Sequence, residues 1–145
     1  MIQRKQLFRH NPELGIYGDC NRTAIACLLD LEPEQVPHFG EDYRDSDAFQ
    51  RREREWLTSQ GWCAVSSAYN SPLDDVLRVQ EIINPGVYYL LGGKSRTGCG
   101  HSVIGCGGEI VWDPSLDDSG IVAPFDSDGL YWVTWLVPIS MRRAA

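Results

Sequence analysis

The sequence is short of basic residues. Thirteen Lys and Arg stand against 20 Asp and Glu in 145 residues, a formal charge of −7. That balance argues against the positive face that binding to a phosphate backbone needs, so no nucleic-acid partner is expected. No apolar run approaches the roughly 20 residues that span a bilayer. Met1-Ile2-Gln3-Arg4-Lys5-Gln6-Leu7 also lacks an apolar core of leader length. A membrane partner is therefore not expected, and a cytoplasmic protein is. Cysteine is present five times, at 20, 27, 63, 99 and 106, an odd count with no C-x-x-C pair. This speaks against a disulfide framework and for reduced thiols. Also missing are the phosphate-cradling GxxxxGK[ST], the dinucleotide GxGxxG and the GxSxG of serine hydrolases. Repeats and linker-like stretches are absent, so residues 1–145 are expected to form a single domain large enough for a hydrophobic core.

What is there reads as helices followed by strands. Residues 1–16 are turn-rich, with Asn11-Pro12 and Gly15. Asp19 stands where a helix-capping carboxylate would, ahead of a helical run with Ile25, Leu28 and Leu29 as its apolar stripe. Glu32-Pro33 ends that helix, and Pro33-Glu34-Gln35-Val36-Pro37 reads as a single turn. Ser46 or Asp47 opens a second helix whose inward residues are Phe49, Trp56 and Leu57, with Gly61 as its C-terminal stop. Trp62 to Ser66 is a strand. Ser71-Pro72 opens a third helix with Leu73, Val76, Leu77 and Ile82 or Ile83 on its apolar face, ended by Asn84-Pro85-Gly86. Strands then follow over Val87–Gly92, Gly100–Gly105, Glu109–Asp113 and Leu130–Val137, and Met141 to Ala145 reads as a loose tail. The period change from helical to alternating implies an α+β fold with an antiparallel meander.

Three residues carry the chemistry. Cys20 falls at the first position of its helix, where the helix dipole favours a thiolate. His101 begins a strand. The hairpin centred on Gly107-Gly108 pairs position 101 near position 114, which puts Asp113 beside the spot facing His101. A thiol, an imidazole to take and return its proton, and a carboxylate to orient the imidazole make the set a cysteine hydrolase needs. Cys27 and Cys63 read as small core hydrophobes. His10 and His38 have no such company. Cys99, His101 and Cys106 are closely spaced donors, but zinc prefers paired Cys/His knuckles and no second half-site follows, so no metal is expected. The loop from Gly92 to Gly98 borders His101 and offers Gly93, Ser95 and Arg96 as substrate-binding candidates, or is a plain flexible hairpin loop.

Several segments together resemble a known superfamily. They are Gln6 with Phe8, Gly18-Asp19-Cys20 with Arg22, Ala26, Leu28 and Leu29, Val36-Pro37-His38-Phe39, Gly93-Lys94-Ser95-Arg96 with Gly98, Gly100-His101-Ser102-Val103, and Asp113-Pro114-Ser115 with Gly120. Their order and spacing resemble the papain-like cysteine peptidases, nearest to small C39-like and NlpC/P60-like members. More narrowly, they resemble a family of small proteins of tailed phages and prophages, over residues 6–137. The resemblance implies N-terminal helices packed on an antiparallel β-sheet. It also implies a thiol hydrolase acting on an amide or isopeptide bond of a protein or peptide, without a cofactor, in the host cytoplasm.

In that reading Cys20 is the nucleophile, His101 the general base and acid, and Asp113 the orienting group. The superfamily also uses a glutamine upstream of the cysteine to complete an oxyanion hole with the cysteine's own backbone N–H. The residue six before Cys20 is Leu14, so Gln6 is the best substitute and Gln3 a weaker one. Two rival functions stay open: an idle papain-like module that binds or inhibits a host protein, and a transglutaminase-like enzyme that passes the acyl group to an amine.

Overall fold

The computed structural model describes residues 1–41 and 45–140. The tail from Met141 to Ala145 lies outside the described residues. Three helices, α1 (Cys20–Leu28), α2 (Ser46–Ser59) and α3 (Leu73–Ile83), accompany five strands. The strands are β1 (Trp62–Tyr69), β2 (Tyr88–Lys94), β3 (Gly100–Cys106), β4 (Glu109–Trp112) and β5 (Tyr131–Pro138). The α+β class expected from the sequence is the class observed.

Local chemistry explains the boundaries. The Asp45 carboxylate accepts from the Ala48 backbone N–H at 2.9 Å and starts α2. Gly61 follows the end of α2 with φ +82, the left-handed conformation that a side chain disfavours. Pro72 precedes α3, and the short 3₁₀ turn Pro33–Gln35 carries a capping box between Glu32 and Gln35. The strand at Trp62 runs three residues beyond the expected Ser66, to Tyr69, because all eight residues find partners on β5, from Trp62↔Pro138 to Tyr69↔Tyr131.

The sheet is antiparallel throughout, in the order β1-β5-β2-β3-β4. It is not the meander the sequence suggests. The last strand inserts between β1 and β2, so the aromatic-rich β5 is a central strand. One core cluster joins Ala24, Ile25 and Cys27 of α1 and Leu57 of α2 to Leu90 and Ile104 of the sheet. The other joins Val76 of α3 to Tyr89, Leu91, Val103 and Val133. Burying each large aliphatic side chain contributes about 1.5–3 kcal/mol, so both clusters hold helices against the sheet.

Three sequence expectations are corrected by this packing. Ile82 and Ile83, at the end of α3, are both exposed and not part of its buried face. Residues 22–27 of α1 are all buried, so α1 is a core helix enclosed on every side, and Leu28 and Leu29 are only partly covered. Cys63 is exposed on the edge strand β1 and not a core residue, whereas Cys27 is fully buried as expected.

A β-bulge falls between Ile104 and Gly105. Tyr89 is fully buried against Gly105 and donates its hydroxyl to Gly107 O at 2.8 Å. A Cβ at Gly105 would overlap the Tyr89 ring. Gly105→Ala is therefore expected to cost about 1–3 kcal/mol by overpacking, measured as a lower denaturation midpoint at unchanged slope.

Candidate active site

The site is assembled around the start of α1. Cys20 is its first residue and is half-buried, with its backbone in the first turn where the helix dipole is positive. Asp19 was expected to cap the helix, but its side chain makes no capping bond. It accepts instead from the backbone N–H of Leu7 (3.3 Å) and Phe8 (2.9 Å) and from Arg22 Nε (2.9 Å). Arg22 also donates to Val36 O at 3.2 Å and lies 5.7 Å from the centre of the Phe8 ring. Asp19 and Arg22 are 1% and 9% exposed, so this is a buried ion pair that must stay intact. Through it the N-terminal segment is laid beside Cys20.

That segment carries Gln6 and Lys5. Gln6 is buried, its backbone N–H donates to Pro114 O at 2.8 Å, and its side chain donates from Nε2 to Phe8 O at 2.6 Å. Lys5 Nζ donates to the carbonyls of Asp113 (2.9 Å) and Ser115 (2.8 Å) and to Asp118 Oδ1 (2.6 Å). One short stretch thus fixes the loop after β4.

His101 and Asp113 meet at 2.7 Å, His101 Nε2 to Asp113 Oδ1. The hairpin register put Asp113 within one residue of the spot facing His101, but the ladder between the two strands stops short of both. The bulge shifts the pairing so that Ile104 faces Trp112, and β4 ends there. Asp113 lies one residue past the strand and reaches His101 with its side chain. The first half of β3 has no partner in β4, which leaves room for this contact. Asp113 Oδ1 also accepts from Ser115 N (2.8 Å) and Oδ2 from Gly120 N (2.7 Å).

These bonds fix the protonation pattern. Burial opposes ionisation of Asp113, but the hydrogen bonds from His101, Ser115 and Gly120 outweigh it and hold the carboxyl far below the ordinary range. An ionised Asp113 only accepts, so His101 Nε2 carries a proton. Burial likewise opposes charge on His101, but its hydrogen bonds with Asp113 and Cys20 push the imidazole up to about 9. His101 therefore bridges the two other residues, with Nδ1 left for the thiol side.

Cys20 and His101 line one cavity of ≈ 250 Å³, together with Gln6, Ser95, Cys99 and Ser119. Of the loop residues considered for substrate, Ser95 lines this cavity, its hydroxyl 2.9 Å from Thr97 Oγ1 and 3.1 Å from Cys99 O. Gly93 does not. It lies within β2 opposite His101, where a Cβ would come 2.8 Å from Ala123 O and 2.8 Å from Ile121 Cγ2. Arg96 is exposed and outside the lining, bonded to Asp117 O at 3.3 Å. Gln3 is also outside it.

The structure adds His10 to the cavity wall, where its Nδ1 accepts from Gly18 N at 3.2 Å. No sequence signal marked His10, because the loop that folds it back holds no periodic pattern. Ser115 and Ser119 were within reach of the Asp113-Pro114-Ser115 motif. His38 is outside this cavity, its Nε2 3.0 Å from Tyr17 O.

Among the described residues no group of three or more His, Cys, Asp or Glu is placed to hold a metal ion. None of their helices is long and apolar enough to cross a membrane. No protein-family model matches the chain, and no curated protein or solved structure matches it.

Two outcomes follow from this geometry. Asp19→Ala leaves the Arg22 guanidinium buried and unpaired, and is expected to destabilise the fold by about 3–5 kcal/mol in chemical denaturation. In NMR titration the His101 ring should titrate near 9. Asp113→Asn should lower that midpoint by about one pH unit or more, since the charge that holds the proton is gone. An unmoved midpoint would show that Asp113 does not govern His101.

Proposed function

We propose that the chain is a papain-like cysteine hydrolase of the kind encoded by tailed phages, a peptidase or isopeptidase that acts on a protein or peptide in the host cytoplasm without a cofactor. The observation that carries the reading is the chain of contacts from Asp113 through His101 to Cys20 at the wall of one cavity. A cysteine helix start packed against an antiparallel sheet, with the histidine on a strand, supports the papain-like assignment.

In this reading the Cys20 proton passes to His101 Nδ1, and the imidazolium is held by Asp113 through Nε2. Cys20 Sγ attacks the substrate carbonyl carbon, and the charge that develops on the carbonyl oxygen falls to the Cys20 backbone N–H and to Gln6. Gln6 Nε2 gives one hydrogen to Phe8 O and has a second for that oxygen. His101 then returns its proton to the leaving nitrogen, the C–N bond breaks, and a thioester remains on Cys20. Water deprotonated by His101 attacks the thioester carbon, and the acid leaves as the thiol is restored.

The first test is alkylation with limiting iodoacetamide between about pH 5 and 9, with the modified cysteine located by mass spectrometry. Cys20 is expected to react at least about tenfold faster than Cys27, Cys63, Cys99 and Cys106, and to lose that advantage in His101→Ala. Cys20→Ala should abolish amide cleavage with the fold intact, and Asp113→Asn should slow it less than His101→Ala does. Adding an amine acceptor to the cleavage assay separates hydrolysis from acyl transfer. Five cysteines reacting slowly and alike would overturn the mechanism and favour a binding module.

A further inference from the structure

A second and larger cavity, ≈ 560 Å³, is lined by residues next in the chain to Cys20 and His101. Cys20 and His101 line the first cavity, and the residues that follow them, Asn21 and Ser102, line the second. Its walls include the rings of Phe49, Phe125 and Trp132 and the side chain of Leu90. The Phe125 ring is seated on two glycines. A Cβ at Gly92 would come 2.9 Å from Phe125 Cε2, and one at Gly100 would come 3.1 Å from Cε1.

Onto this cavity, whose lining also includes Gln50, Ser66, Ser127 and Thr134, α2 brings Glu53. The Asn21 side chain lies near enough to the Glu53 carboxyl to favour its ionised form. Glu53 Oε2 and Asn21 Oδ1 are buried without a hydrogen-bond partner. Each orphaned acceptor is costly until a donor reaches it. Arg54 on α2 and Asp128 in the loop before β5 are the other charged residues of the lining. Asp128 already accepts from Leu130 N (2.9 Å) and Trp132 Nε1 (2.8 Å).

The shape and the polarity together select a ligand. Aromatic and aliphatic walls suit a long apolar stem. Two acceptors, one of them a carboxylate, suit a head that only donates, which among side chains means an ammonium or a guanidinium. An amide would bring an acceptor of its own, and a carboxylate would be repelled.

We infer that this cavity is a specificity pocket for a lysine or arginine side chain of the substrate, its stem against Leu90 and Trp132 and its cationic head on Glu53 and Asn21. The inference rests on the hydrolase reading for the position of the scissile bond, which lies at Cys20 and His101. Burial pushes the empty Glu53 carboxyl up to about 7, against the opposing effects of the Asn21 side chain and the charge of Arg54. A bound cation favours the ionised form, so binding should be tighter above that pH and weaken as Glu53 takes up its proton.

The test is a titration of the Cys20→Ala protein with N-acetyl-arginine methylamide, N-acetyl-lysine methylamide and N-acetyl-norleucine methylamide, followed by NMR. The basic ligands are expected to bind about tenfold more tightly than norleucine, with shifts centred on Asn21, Glu53 and Ser102. Glu53→Gln should erase the preference. The same preference should shrink between pH 8 and pH 6 in protein that retains Glu53, a readout independent of whether Glu53→Gln folds. Equal affinities, no binding, or a preference for norleucine overturns the pocket even if Cys20 proves reactive. Iodoacetamide that fails to select Cys20 in the unmodified chain overturns the nucleophile instead, and the titration still decides the pocket.

Discussion

The buried carboxylate of Asp19 is the constraint on which the site depends. It is one residue before the cysteine, and none of its bonds goes to the backbone N–H groups of the helix it precedes. Two of them go to the backbone of residues 7 and 8, and the third to a buried arginine one turn along α1. A carboxylate out of water is tolerated only when its acceptor sites are filled and an opposite charge is near. Arg22 supplies the charge, and the N-terminal segment supplies the donors. The same bonds bring Gln6 and Lys5 to the cavity and the loop beside it. The position of Gln6 is thus a consequence of satisfying Asp19, and needs no close sequence spacing between the glutamine and Cys20.

A second constraint comes from the short strand β4. The bulge at Gly105 accommodates Tyr89 and shifts the ladder by one residue, so β4 ends level with Ile104. Beyond it the chain is free to turn at Asp113-Pro114. Two backbone N–H groups from that turn, at Ser115 and Gly120, converge on the Asp113 carboxylate. They offset its burial and keep it ionised, which in turn fixes the proton on His101 Nε2. Lys5 holds the carbonyls of the same turn. The electrostatic state of His101 therefore rests on its bond to Asp113 and on the two backbone groups that hold that carboxylate.

Most elements were legible because their signals are local. Pro33, Pro72 and Gly61 mark boundaries through backbone geometry alone, and Leu57 and Val76 fall on helical faces of the expected period. Cys20, His101 and Asp113 were identifiable as candidates because residue type, helix start and hairpin arithmetic converge on them. What failed was nonlocal. Nothing within residues 130–137 says that β5 enters between β1 and β2, since that depends on which edges are free. The all-round burial of α1 follows from the N-terminal segment closing over it, so Leu28 and Leu29 misled as a stripe. Gly93 read as a loop residue by composition, and Gly92 as the point where strand passes into loop. They are strand residues, because Phe125, Ile121 and Ala123 approach too closely for any side chain there.

Those close approaches bear on how one strand can serve two chambers. Successive residues of a strand point to opposite faces. Along β3, His101 lines the smaller cavity and Ser102 the larger. At the helix start, Cys20 and Asn21 divide in the same way, though by rotation about a helix axis. The two elements pack against each other, so Cys20 and His101 face one cavity, and their neighbours Asn21 and Ser102 face another that holds Phe125, Trp132 and Glu53. Phe125 packs against β2 and β3 where Gly92 and Gly100 leave no Cβ to hold it off. A side chain on Gly92 would force the ring outward. Two glycines on neighbouring strands thus act in the fold as a seat for one aromatic ring, and the wall of the second cavity depends on that seat.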